Sequence, residues 1–231
     1  TGVVLWTRID PSAWRAGQAL IVQVARDADF LQLEFESIVE SQNIRPERDY
    51  CVSVDVDGYL QPNIRYYYRF IYDNTLSRTG RCRTAPPYGA ALDHLKLGLL
   101  TCQDYTNGYY GALAQIANDD SIDFVIHLGD FIYETAGDPR FQSLPFEDRL
   151  IVLPSDGLVA LDLDDYRHLY KIYLSDPYLQ AARARFAFVS TWDDHEFAND
   201  HWQSHGEDGQ HAGPHQRRRM DANQAWSEYI P

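Results

Sequence analysis

The chain has 231 residues, 45% of them hydrophobic, and sets 34 Asp and Glu against 20 Lys and Arg for a net charge of -14. That length can bury one or two cores. The charge argues against nucleic acid or an anionic membrane held through basic patches. The longest apolar runs, near Leu95–Leu100 and Phe124–Leu128, fall far short of the ~20 residues a transmembrane helix needs.

From Thr1 to Thr84 the pattern is β-rich. Short runs such as Leu20–Ala25, Cys51–Val56 and Arg65–Tyr72 alternate or are aromatic and β-branched, with turn residues at Asp57-Gly58, Pro62-Asn63 and Asp73-Asn74. Strands at this spacing predict a small sandwich, with Tyr66, Tyr67, Tyr68 and Tyr72 as packing residues. The chain opens at Thr1 with no initiator Met and no charged leader, so any export signal is expected outside this sequence. Cys51, Cys82 and Cys102 are an odd set that allows at most one disulfide.

Residues 85–92, rich in Pro and Gly, break both helix and ladder and read as a linker between a leader domain (1–84) and a second domain (93–231). After it the pattern changes to a buried strand at Leu95–Thr101, a helix at Tyr110–Ala117 and a second buried strand at Phe124–Leu128. Strand, helix and strand within about thirty residues predict a parallel unit and an α/β layered domain. A polar insertion follows over Thr135–Asp162, then helices over Asp165–Leu174 and Asp176–Arg185, and a third strand over Phe186–Trp192.

Each α/β strand runs out into groups able to bind a metal: Thr101-Cys102-Gln103-Asp104, Gly129-Asp130 with Tyr133 three residues on, and Trp192-Asp193-Asp194-His195-Glu196. Ligands of open α/β sheets bind outside the carboxyl ends of the strands, so these groups are expected on one rim. Hydrolysis of a phosphate ester by two cations about 3.5–4 Å apart needs such convergence, commonly with one bridging carboxylate. Asp130 is the candidate bridge, and Gly129 lets the backbone turn tightly beside it. The thiolate of Cys102 and a phenolate from Tyr133 suit a transition metal better than magnesium. Bound cations also let an acidic protein accept a phosphate ester, because they invert the local field.

The block Gly129-Asp130-Phe131-Ile132-Tyr133-Glu134 resembles the GDxxY block of calcineurin-like metallophosphoesterases and purple acid phosphatases. With Cys102-Gln103-Asp104 before it and Trp192–Glu196 after it, the order resembles the variant of the alkaline phosphatase D family. Val4–Arg8, Tyr67–Phe70 and Arg83–Pro86 resemble that family's β-sandwich leader, so the resemblance covers essentially the whole chain. It implies a phosphomonoesterase or phosphodiesterase using iron (Fe3+) and calcium (Ca2+), with Cys102, Asp130 and Tyr133 around the iron. Asp194 would replace the Asn that binds the second metal in related enzymes, and His195 would stabilise an oxygen of the substrate. Asp104 and Asn199 are further candidate ligands. The implied reaction is direct attack of a metal-bound hydroxide on phosphorus, in an exported protein.

Other features carry blander readings. Asp193 reads as the cap of a following helix, and Asn199–Gln216, with His201, His205, His211 and His215, as a solvated loop that matches no zinc pattern. Arg217, Arg218 and Arg219 read as the exposed start of a last helix. Related enzymes complete the site with a later GHxH block, and His211-Ala212-Gly213-Pro214-His215 is not that block. The alternative to an enzyme is therefore a non-catalytic or incomplete metal-binding or interaction segment.

Overall fold

The structure, a computed structural model, describes residues 2–206 and 213–231. In the leader, β1 (Val4–Arg8) pairs antiparallel with β4 (Cys51–Asp55). The facing sheet runs β3 (Leu33–Val39), β2 (Leu20–Ala25), β5 (Arg65–Tyr72), all antiparallel, with β7 (Gly80–Arg83) and the two-residue β6 (Thr75–Leu76) also pairing with β5. Leu20, Val22 and Val24, two apart along β2, are fully buried against Leu5, Val52, Val56, Tyr66 and Phe70. The tyrosines do pack: Tyr66 and Tyr72 are buried, and their hydroxyls accept from the Gln61 and Arg15 amides.

The second half holds β8 (Leu97–Leu100), α1 (Gly111–Asn118), β9 (Phe124–His127), α2 (Leu163–Tyr173), α3 (Pro177–Arg185) and β10 (Phe188–Ser190). β9 is central and parallel to both neighbours, in the order β10-β9-β8. Short β11 (His205–Gly206) and β12 (Gly213–Pro214) precede α4 (Gln216–Tyr229). The Asp162 carboxylate caps α2 through the Asp165 amide, and Asp176 caps α3 through the amides of Tyr178 and Leu179, with Pro177 opening the helix.

The polar insertion is more structured than its composition suggests. Ala136 and Ala160 bond back to Leu158 and Glu134, Ile151 and Leu153 are buried, and Arg149 is buried in an ion pair with Asp176. The third strand is shorter than expected because the chain leaves the sheet after Thr191, whose amide donates to His127 O, and the next amide contact, from Asp193, goes to a side chain. No helix follows Asp193, so it caps none; residues 194–197 form a turn in which Phe197 and Ala198 donate to Asp194 O. Arg218 corrects the exposed-start reading. It is buried, and its guanidinium donates to Ala160 O, Tyr166 Oη and Phe197 O, whereas Arg217 remains exposed. All three cysteines are free thiols.

The two halves meet along α2 and α4. Arg167 clamps Glu228 with two bonds of 2.7 Å and also donates to Glu47 O, Trp6 Nε1 donates to Glu228 O at 2.7 Å, and Asp49 gathers Arg8, Lys171 and the Tyr229 hydroxyl.

Candidate metal centre

The three parallel strands release their chains at one edge, and backbone pairing continues just beyond it. Cys102 N donates to Gly129 O at 3.2 Å and Gln103 N to Asp130 O at 3.1 Å, which locks the turn after β8 beside the turn after β9. Cys102 and Asp130 both hold left-handed backbones, φ 52 and 53, a region that costs a cysteine more than an aspartate. Gly129 is left-handed as well, and a Cβ there would overlap the Cβ of Asp193. The glycine is needed for the close approach of the Asp193 turn.

Around Asp130 the expected groups converge. The Cys102 thiol donates to Asp130 Oδ2 at 3.2 Å and the Tyr133 hydroxyl to the same oxygen at 3.4 Å. Asp130, Asp194 and His195 place ligand atoms within 4.8 Å of one another. Asp130 Oδ1 is buried with no hydrogen-bond partner, and Asp194 Oδ2 accepts from Asp200 N at 2.6 Å. Buried carboxylate oxygens are ordinarily satisfied. An orphan oxygen among a thiol, a phenol, a second carboxylate and an imidazole fits a metal cation.

The electrostatics agree. Burial raises the Asp130 carboxyl, with Asp194 and Asp193 adding to the rise, against the Cys102 hydrogen bond and His195, which lower it. Burial, Asp130 and Cys102 push the Tyr133 phenol well above its ordinary range, so a phenolate there needs a strongly acidifying ion. His195 is buried, its ring 4.2 Å from the Tyr133 ring and 4.5 Å from that of Phe141. Burial alone would lower its pKa, but the Glu134 carboxylate at 2.7 Å from Nδ1, with Asp194 and Asp130, raises it to about 9.

Two buried carboxylates organise this arrangement, and neither drew a role from the sequence. Glu134 accepts from His195 Nδ1 and, at 2.6 Å, from Asn199 N. Glu196 accepts from the amides of Asp130, Phe131 and Asp193. Both stand in the motif blocks, directly after Tyr133 and His195, but only the fold supplies their partners.

Two candidates are not brought into the group. Asp104 Oδ1 accepts from Thr106 N, Thr106 Oγ1 and Asn107 N, all at 2.8 Å, and Oδ2 accepts from Gln142 Nε2, so its carboxylate braces a loop. The Asn199 side chain donates to Asp200 while its backbone holds Glu134. Of the loop histidines, His201 Nε2 meets Arg219 at 2.7 Å, His205 lies in β11 and His215 precedes α4; His211 lies outside the described residues.

The chain matches the model of PhoD-like phosphatases over residues 97–231 and that of the N-terminal domain of PhoD-like phosphatases over residues 1–86. It belongs to the PhoD-like phosphatase family. Over 235 aligned residues it is 36% identical to alkaline phosphatase D of Bacillus subtilis (strain 168), covering 99% of this chain and 39% of that protein. The solved structure of PhoD superposes with a TM-score of 0.83 at 32% identity, over 99% of this chain and 43% of that one. A purple acid phosphatase from yellow lupin (Lupinus luteus) seeds shares the fold, with a TM-score of 0.51 at 11% identity over 92% of this chain and 36% of its own. The chain thus spans about two fifths of the alkaline phosphatase D it matches, and its architecture is the expected one: a β-sandwich leader followed by part of an α/β layered metallophosphoesterase domain. In this member of the family, a cavity of about 570 Å³ adjoins the centre, with Thr101, Cys102, Asn107, Tyr109, Tyr133 and Phe141 in its wall.

Proposed function

We propose that the protein hydrolyses phosphate esters with metal ions held at the rim of β8, β9 and β10. The observation that carries this reading is the convergence of Asp130, Asp194 and His195, with Asp130 Oδ1 buried and unpartnered. Cys102, Asp130 and Tyr133 would hold Fe3+, and Asp130 with Asp194 would hold Ca2+, the identities resting on the family resemblance. When bound, such ions supply Lewis-acid activation of water and neutralise charge gathering at phosphorus. The protein's own part is to fix the donors on doubly anchored turns, and to hold His195 against Glu134 where it can bond a phosphoryl or leaving oxygen. The cavity beside Cys102 is large enough for the alcohol portion of the ester. Monoester and diester substrates both fit this chemistry. Export to the cell envelope, implied by the resemblance, belongs to the same proposal; no helix among the described residues is long and apolar enough to cross a membrane.

The test is metal analysis of the intact protein together with hydrolysis of a chromogenic phosphate ester before and after chelation. Asp130→Ala is expected to lose activity and lower the content of both ions while the far-UV circular dichroism stays unchanged; full occupancy of both ions in the mutant would remove Asp130 as the bridge. His195→Ala is expected to cut turnover about a hundredfold or more with the metals retained. Wild-type turnover in that variant would make His195 a packing residue.

A further inference from the structure

We infer that Glu196 is a positioning residue for the metal centre, a carboxylate laid across the contact between the two ligand-bearing turns that sets where the Asp130 and Asp194 side chains stand. This rests on the proposed reading of the site as a metal centre. Glu196 is fully buried. Its Oε1 accepts from Phe131 N at 2.6 Å, and its Oε2 from Asp193 N at 2.8 Å and from Asp130 N at 3.2 Å. β9 ends at His127 and β10 at Ser190, so these three amides lie beyond the strands, where the sheet no longer pairs them. The amides on both sides of the Asp130 Cα end on this one carboxylate, which fixes the left-handed turn at that residue.

The same group ties the β9 turn to the Asp193 turn. Gly129 packs so closely on Asp193 that no side chain fits between them, and Glu196 bonds amides on both sides of that contact. Groups behind metal ligands commonly change metal affinity by about 10–100-fold when removed.

The experiment compares the intact wild-type protein with Glu196→Gln and Glu196→Asp. Gln keeps the size but turns an NH2 toward a backbone amide; Asp keeps the charge but is one methylene too short to reach both turns. Retention of iron and calcium is measured against graded chelator, well below each variant's thermal midpoint, beside Val22→Ala as a control that loses buried volume in the distant leader core. The expected result is at least a tenfold loss of metal retention in both Glu196 variants, and none in the control once the protein is folded. Wild-type retention by a folded Glu196 variant, or losses that merely follow the thermal midpoint as in the control, would overturn the inference. If neither variant folds, amide hydrogen exchange of the metal-free wild type decides: slow exchange at Asp130, Phe131 and Asp193 supports the brace, and exchange as fast as in exposed loops refutes it. Should the wild type bind no metal, the proposed function fails, and the exchange data still report whether Glu196 holds the turns.

Discussion

Cys102 and its two fellow cysteines show how one residue type divides by environment. Burial pushes the thiols of Cys51 and Cys82 up to about 12, whereas Cys102 is exposed at the rim, its thiol raised by burial and by Asp130 but held down by Thr101. A thiol reagent applied to metal-free folded protein is therefore expected to modify Cys102 alone, with Cys51 and Cys82 reacting only on denaturation. Peptide mapping checks this, and protection of Cys102 by added iron would place the ion on its sulfur. Cys102, Asp130 and Tyr133 were legible as a group because motif spacing and strand ends are local properties. The roles of Glu134 and Glu196 were not, since the His195, Asn199, Asp130 and Phe131 groups they hold lie 61 to 66 positions away.

At the scale of elements, the insertion and α3 depend on one buried pair. Arg149 lies against Asp176 and also donates to Tyr105 O and Gly108 O, with its guanidinium 4.1 Å from the Tyr105 ring centroid. Asp176→Asn keeps an oxygen for capping α3 but leaves the Arg149 charge unmatched, at an expected cost of about 3–5 kcal/mol. Asp162→Ala, which removes only the cap of α2, should cost about 1 kcal/mol. Denaturant unfolding of both variants checks the ranking, and equal losses would mean that the Arg149 charge is satisfied without Asp176. Helix starts at Asp162 and Asp176-Pro177 follow from local capping chemistry. The use of Asp176 by an arginine 27 residues earlier needed the fold.

Across the whole molecule, Asp49 joins the leader to α2 and α4. Burial would raise its carboxyl, but hydrogen bonds from Arg8 and Tyr229, with Lys171 nearby, hold it below the ordinary 3.8. A carboxyl depressed in the folded state stabilises above its unfolded pKa, and that stability is lost as pH falls through the lower folded value. The thermal midpoint is therefore expected to drop below about pH 4, and Asp49→Asn should lower the midpoint at neutral pH while flattening the acid limb. An unchanged acid limb in the variant would assign the acid sensitivity to other carboxylates. Among the described residues, one face of the parallel sheet is also open to solvent. Leu97 and Leu99 of β8 and Val189 of β10 are exposed on it, although parallel sheets are normally covered on both faces. Produced by itself, this chain is expected to self-associate, which light scattering would detect and a monodisperse monomer would refute.

By itself the sequence determined the leader's alternating strands, the order of the α/β elements and the three candidate ligand blocks at their ends. Each is written in periodicity and turn chemistry over fewer than a dozen or so neighbouring residues. Tertiary structure decided what those blocks do to one another. It separated Asp130, Asp194 and His195 from Asp104, whose carboxylate closes its own loop, buried Arg218 in a helix that reads as solvated, and set Gly129 against Asp193. These outcomes depend on contacts between segments distant in sequence, where burial leaves each polar group only the partners that the fold brings to it.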